Sequence, residues 1–595
     1  SADSIYNPTN QDIGFYRRLV EAPSLRELTS RTRHLDATLK GWFMVGSHYW
    51  NWDAGVTWNK NTVSGVAAGN VNLRNAHRAL GPSFINAEGV AKCGTPDDVI
   101  GGCIPWNVLG GPSAMTPELY QYLFVKNRRE AGSKGVSYQA NLTGGMFNIP
   151  FGGEAAFAFG VERREMSGYT EPDSLALAGL STSSASPGMD ASYSVNSVYG
   201  ELSIPLLRDQ PWAKNLTFDI AGRYSDYSTF GSTFNAKYGF EWKPIESLLF
   251  RGNYSEAYRS PSINNMYSGV HDYYVYFLDP CDTKYGADAY GDKVHNACIA
   301  SLKAAGYANA DSFRQVDATG NPVATANPVT TSRFHYGSNP DLDAEKAVTK
   351  TFGVVYSPEF APGLDVSLDW YEIKIRDAIG QVTPQGTVEN CYLGDASYCA
   401  KFHRNANGQL VSLHYGLGNM GKVVMEGYDF GIAYRLPATA FGSFKLTSNS
   451  SYLVRKNLKW GHDAPIDTQV GNNVWRLRNN TSLDWQYGKF GATWTIRYFS
   501  SVREPCDYMT ECNMPDFVSP HSGAQPTRRI GAIAFNDLSV RWDAPWDARI
   551  TLGVNNIFDR EAPIQYGQLH DSGSIPFNPA YDLDRYLFMS YHQKF

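Results

Sequence analysis

The chain has 595 residues, 14% of them aromatic and only 18% charged, with 55 glycines and a net charge of −6 from 52 basic and 58 acidic side chains. No run approaches the ~18 apolar residues a spanning helix requires, the 43% hydrophobic content excludes wholesale disorder, and the charge balance lacks the basic excess of a nucleic-acid binder. What remains is an all-β chain, and an antiparallel transmembrane β-barrel fits it, because only every second residue of such strands must be apolar and the average hydropathy then looks soluble.

Stretches of about ten residues with alternating hydrophobicity predict strands along the whole chain. In LDVSLDW, Leu364, Val366, Leu368 and Trp370 share one face while Asp365, Ser367 and Asp369 take the other. Ile550, Leu552 and Val554 do the same, as do Leu587, Met589, Tyr591 and Phe595 in the last segment. Eighteen strands are expected, near 13–21, 33–44, 50–59, 136–147, 154–166, 192–205, 215–227, 232–243, 247–256, 347–357, 363–379, 423–435, 442–454, 474–486, 489–501, 530–542, 547–557 and 585–595. Residues 116–131 suggest a short helix capped by Thr116.

The connections alternate in length. Links such as 45–49, 148–153, 243–246 and 487–488 are short, while 60–135, 167–191, 257–346, 380–422, 455–473, 502–529 and 558–584 are long; the tight link at 228–231 is the exception. Sorting of this kind marks the periplasmic and extracellular sides of an outer-membrane barrel. It places both chain ends on the periplasmic side. Trp50, Trp52, Trp58, Trp242, Trp370, Trp542 and Trp546 fall near strand ends, as interfacial aromatic girdles do.

Eight cysteines form four close pairs in sequence order: Cys93 and Cys103, Cys281 and Cys298, Cys391 and Cys399, Cys506 and Cys512. None is a CxxC and no His stands at zinc-finger spacing, so local disulfides in an oxidising compartment are expected rather than a metal site. All four pairs fall in the long, extracellular set. The chain opens at Ser1 without a basic or apolar leader, so an exported protein would already have lost its signal peptide.

No catalytic motif is present: GxSxG, HExxH, a P-loop and a strand-linked GxGxxG are all missing. No enzyme activity and no cofactor are expected. The acids Glu171, Asp173, Asp341 and Asp343 lie in predicted loops and read as solvated charge. Candidate ligand contacts are His271, Tyr273, Tyr274, Tyr276 and Phe277, whose rings suit sugars, catecholates or planar chelates. Arg528 and Arg529 are candidates for an anionic substrate or a lipopolysaccharide phosphate.

Five segments carry a family resemblance. They are RGNYSEAYRSPSINNMY with Arg259, Pro261 and Ser262; NPDLDAEKAVTKTFGVVYS with Asn339, Pro340, Leu342 and Glu345; the 391–430 stretch with Arg404, Gly408, Asn419, Glu426, Gly427 and Asp429; GVNNIFDREAP; and the aromatic-ended strand at Phe595. In this order they resemble the TonB-dependent outer-membrane receptors. The resemblance implies a barrel of 22 strands in the outer membrane of a Gram-negative bacterium and active uptake of a scarce nutrient such as a ferric siderophore or an oligosaccharide. It also implies energy from the periplasmic TonB complex, and a plug domain with a TonB-binding motif that residues 1–30 do not resemble. The expectation is that residues 1–595 are all barrel and loops, with the plug and about four strands lying outside them. A passive porin, or an adhesin-like barrel whose loops bind a surface protein partner such as a lipoprotein, are the competing readings.

Overall fold

In an antiparallel sheet that separates lipid from water, each strand must bury one face and wet the other, and the register must keep like faces together. The computed structural model meets that condition along its wall. It describes residues 1–9, 11–14, 19–183, 187–289, 292–325, 328–460, 466–472, 474–503, 529–563, 578–582 and 584–594. Among these, the main sheet has 21 strands. Four are short strands within the long connections: Val270–Tyr273, Phe334–Gly337, Phe402–Arg404 and Asp467–Thr468.

The remaining seventeen form the wall, each antiparallel to the next. They are β1 (Leu25–Val45), β2 (His48–Val71), β3 (Phe124–Ile149), β4 (Gly153–Glu171), β5 (Met189–Gln210), β6 (Ala213–Tyr227), β7 (Gly231–Ile245), β8 (Leu248–Arg259) and β9 (Glu345–Tyr356). Then follow β10 (Leu364–Val382), β11 (Leu410–Arg435), β12 (Ser443–Trp460), β13 (Leu477–Tyr487), β14 (Phe490–Phe499), β15 (Ile533–Ala544), β16 (Ala548–Asn555) and β17 (Tyr586–Gln593). Among the described residues no pairing joins β1 to β17.

The register shows the two faces directly. One row across the sheet reads Leu39, Ala54, Ala140, Val161, Val198, Tyr224 and Phe234. The row one residue along reads Thr38, Gly55, Gln139, Glu162, Ser197, Ser225 and Thr233. The first row faces lipid and the second lines the lumen. Lumen-facing charges pair with one another: Arg251 holds Asp369 at 2.9 and 2.7 Å, Arg541 holds Asp484 at 2.6 and 2.9 Å, and Arg497 holds Asp537 at 2.8 and 3.0 Å.

Short turns gather at one end of the wall. One of the tightest is Gly46–Ser47, where Gly46 has φ 62°, a value that suits the first central position of a two-residue hairpin turn. The long connections 72–123, 172–188, 260–344 and 383–409 gather at the other end.

Two expectations fail at the start of the chain. Residues 13, 14 and 19–21 are not strand, and 15–18 lie outside the described residues, so the wall begins at β1. The first residues then sit at the long-loop end: the Ser1 ammonium donates to the Leu80 carbonyl at 3.0 Å, and Ser83 N–H to the Asp3 carbonyl at 3.1 Å. The C-terminal end is at the short-turn side, where Lys594 N–H donates to Asp547 O at 3.0 Å. The proposed helix at 116–131 is a seven-residue helix, Pro117–Leu123, with Thr116 accepting from Leu119 N–H at 3.2 Å. From Phe124 onward the chain is already β3. The 26 residues of β3 and of β11 far exceed the roughly 9–11 that cross a bilayer, so these strands continue outward as a rim.

Candidate functional site: the roofed mouth

The rim is stapled by residues of the sequence motifs. At the top of β8, Arg259 forms a two-point ion pair with Glu345 at the start of β9, both bonds at 2.6 Å. The same Glu345 accepts from Ile379 N–H on β10 at 2.6 Å. Asn419 on β11 reaches back to the carbonyls of Asp343 and Asp377 at 2.9 and 2.8 Å, and accepts from Asp343 N–H at 2.8 Å. Ser262 caps the short helix Ile263–Tyr267 in a reciprocal capping box with Asn265. Asn339 ties that helix to β11, donating its N–H to Asn265 O at 2.9 Å and its side-chain amide to Leu417 O at 3.1 Å. The motif residues therefore fix where the loops 260–344 and 383–409 leave the wall.

Above the staples, loops 260–344 and 383–409 share one hydrophobic core. It includes Phe277, Leu302, Phe313, Phe334, Val388 and Leu413, with the Cys281–Cys298 disulfide inside it. At its centre, Arg404 and Asp279 form an ion pair with both side chains 2% exposed. Arg404 donates to the two Asp279 oxygens at 2.5 and 2.8 Å, to the Gly408 carbonyl at 2.7 Å and to the Tyr392 hydroxyl at 2.9 Å. Burial pushes the Tyr392 hydroxyl above the usual phenol range, so it remains a neutral donor to Ser301 Oγ at 3.0 Å. Gly408 is needed there: its φ is +77°, and a Cβ would stand 2.9 Å from both Leu302 and Phe313.

The roof leaves a cavity of about 510 Å³ between the helix Ile263–Tyr267 and the inner faces of β2–β5. Asn61, Arg129, Met166, Met189, Tyr193 and His271 are among its lining residues. They offer one cation, one imidazole, one phenol, an amide and two soft thioethers. Such a surface can hold a ligand with acceptors and flat apolar faces, and it contains no nucleophile–base pair. Among the described residues no group of three or more His, Cys, Asp and Glu side chains is placed to hold a metal ion.

The sequence-derived candidates are scattered by this geometry. His271 lines the cavity. Tyr273, Tyr274 and Tyr276 lie on the loop surface, the last two 58% and 61% exposed. Phe277 is 4% exposed and packs edge-on against Phe334 with ring centres 5.2 Å apart. It belongs to the loop core and has no open face for a ligand. Arg529 lies in the short strand Arg529–Ile530, paired with Val502–Arg503, away from the cavity. Arg528, Cys506, Cys512 and Phe595 lie outside the described residues. The other three cysteine pairs are bonded as read from their order. Arg129, Met166 and Tyr193 were missed as site residues. Their signal was parity: each stands on the polar, inward phase of a strand, near the end that meets the long loops.

A barrel of paired charges, loops stapled at one rim and a roofed mouth together narrow the families to compare. The TonB dependent receptor-like β-barrel model matches residues 3–557. The chain belongs to that family. No curated protein sequence matches it. Among solved structures, the TonB-dependent receptor barrel is similar to a mutant of the ferric enterobactin receptor of Pseudomonas aeruginosa at 13% identity and TM-score 0.48, over 94% of this chain and 70% of that one. It is also similar to a siderophore receptor of Acinetobacter baumannii at 13% identity and TM-score 0.45, over 96% and 79%. A third is the ferric-catecholate import receptor of Escherichia coli K12, at 11% identity and TM-score 0.46, over 94% and 64%.

Proposed function

We propose that this receptor barrel takes part in energised uptake of a scarce nutrient across the outer membrane of a Gram-negative bacterium, with the ligand first held beneath the loop roof. The observation that carries this reading is the roofed mouth itself. The loops form a packed body with its own core, pinned to the rim by Arg259–Glu345 and Asn419. A rigid scaffold that presents loop residues over a polar lumen is suited to capture. A cavity with one arginine, one histidine and a tyrosine fits a ligand rich in oxygen acceptors with a planar or ring-shaped body, such as a ferric siderophore or an oligosaccharide. The TonB complex is the expected energy source, and no covalent step is assigned to any residue.

The test uses cells producing the full-length protein, a panel of labelled ferric siderophores and oligosaccharides, and matched cells lacking TonB. The expected result is saturable uptake of one class that stops without TonB or when the proton gradient is collapsed. Uptake that is insensitive to both, with steady ion conductance of the purified protein in planar bilayers, overturns the reading in favour of a passive channel. Within the cavity, Arg129→Ala is expected to raise the half-saturation concentration roughly tenfold while leaving assembly intact. An unchanged half-saturation removes Arg129 from the site.

A further inference from the structure

Above the rim, four segments meet in one small sheet. Val270–Tyr273 runs antiparallel to Phe334–Gly337, which lies parallel to the outer end of β11, and β11 is flanked on its other side by Phe402–Arg404. Successive side chains of a strand point to opposite faces. Phe334, Leu413 and Phe402 turn inward to the loop core. Their neighbours His335, His414 and His403 therefore share the outer face, on three adjacent strands. His335 stands opposite His414, and His403 stands opposite Ser412, two residues from His414. Diagonal neighbours of that kind lie about 7–8 Å apart, within reach of an aromatic side chain.

Two features prepare these rings as ligands. Asp272, opposite His335 on the fourth segment, places its Oδ1 2.7 Å from His335 Nδ1. A carboxylate only accepts, so in the neutral ring Nδ1 carries the proton and Nε2 keeps its lone pair. This is the arrangement in which a carboxylate orients a metal-bound imidazole. His414 stacks on His335 with ring centres 4.5 Å apart. Partial burial, and then the charge of His335, hold His414 below the usual imidazole value against the pull of Asp272, so it is neutral and able to ligate near pH 7. Among the described residues no hydrogen bond occupies the ring of His414 or of His403. The flanking cations are turned aside. Arg333 lies over the Tyr274 ring at 5.8 Å, and Lys401, whose carbonyl accepts from His414 N–H at 2.7 Å, lies over the Tyr398 ring at 4.5 Å. As stacked, the side chains are not gathered into a ligand set; rotation of the His414 and His403 rings about their side-chain bonds gathers them.

We propose that His335, His414 and His403 form a binding site for a divalent transition metal ion of the zinc or copper kind, with Asp272 orienting His335. Imidazole nitrogens suit such ions, and three of them leave a position open to water. The ion joins Phe334–Gly337 of one loop to Phe402–Arg404 of the other, and so staples the shared loop body from outside. The site is separate from the cavity, because His271, which lines the cavity, adjoins Asp272 in sequence and takes the opposite face.

The test uses full-length protein free of affinity-tag histidines, stripped with chelator in non-ionic detergent and titrated calorimetrically with zinc chloride. Saturable binding of one ion is expected, weakening as pH falls from about 7.5 to about 5.5, where imidazoles take up protons. His335→Asn/His414→Asn is expected to abolish it, and Asp272→Asn to weaken it roughly tenfold to a hundredfold. His77→Ala, on the helix Leu73–Ala79, is expected to leave it unchanged. With copper chloride instead, electron paramagnetic resonance of the wild-type protein is expected to show splitting from three imidazole nitrogens, and from two in His403→Asn. Zinc is also expected to slow tryptic cleavage within 260–344 and 383–409 in the wild-type protein but not in the double variant. Wild-type protein that binds no zinc overturns the proposal, as does a double variant that binds within about twofold of wild type, or a wild-type copper spectrum with fewer than three nitrogens. Should the double variant fail to assemble, the copper spectrum of the wild-type protein decides alone.

Discussion

Arg404 carries more of the loop body than any other single side chain described. Its ion pair with Asp279 is almost fully buried, and breaking such a pair from one side strands a charge in an apolar setting. Arg404→Met is therefore expected to destabilise the loop body by about 3–5 kcal/mol. Limited proteolysis should then cut within 260–344 while the wall stays intact; a cleavage pattern equal to wild type would contradict this role. A second residue effect concerns protons. His414 on the rim stacks on His335 with ring centres 4.5 Å apart, and Asp272 Oδ1 accepts from His335 Nδ1 at 2.7 Å. Partial burial, and then the charge of His335, hold His414 below the usual imidazole value, against the pull of Asp272. A histidine with a depressed native value binds its proton more readily when the structure opens, so stability is lost as pH falls through the unfolded value of about 6.5. Hydrogen exchange at 270–273 and 334–337 should quicken below that pH, and His414→Gln should flatten the profile. At this scale the sequence was least informative. His271 and Phe277 look alike as loop rings, yet one lines a cavity and the other fills a core, because that core is assembled from residues more than a hundred positions apart.

At the level of elements, strands were legible and their ends were not. Alternation predicted the wall from β1 to β17, because the lipid face and the lumen face impose opposite chemistry on neighbouring residues. It stops short where strands leave the bilayer: above the membrane the faces of β3 no longer divide into lipid and lumen, with Phe124 and Asn127 buried against the loops, so Phe124–Gly135 lacks the alternation and reads partly as helix. The disulfides act at this scale too. Cys93–Cys103 closes a ten-residue span beside a small core of Ala79, Trp106, Leu119 and Leu123. Replacing both cysteines by serine should lower the stability of that loop by about 2–3 kcal/mol while leaving the barrel's heat-modifiable gel mobility unchanged. Loss of barrel assembly would show that the bond serves the wall rather than the loop.

For the whole molecule, the division into lipid and lumen faces makes a strong prediction. Leu142 and Thr143 are adjacent on β3 but belong to opposite faces, opposite Trp52 and Asn51 respectively. Leu142→Arg should cost about 2–4 kcal/mol in lipid. Thr143→Arg should be nearly neutral, since its side chain enters a lumen already furnished with ion pairs. Equal costs in a reversible unfolding titration would mean that the faces are assigned the wrong way round. Sidedness itself was legible from loop lengths alone; the position of the first residues was not, because 13–21 alternates like a strand yet its described residues, 13, 14 and 19–21, are not strand. The shared core of loops 260–344 and 383–409 has a consequence for how such a protein can change. Neither loop is a unit of inheritance by itself, since exchanging one would leave half a core facing a stranger. Recombination that respects folding must carry the segment from Arg259 to Asn419 as a single cassette, including β9 and β10 between the two loops. New ligand preferences in this lineage would then arrive in blocks of that length, or by point changes on the cavity wall.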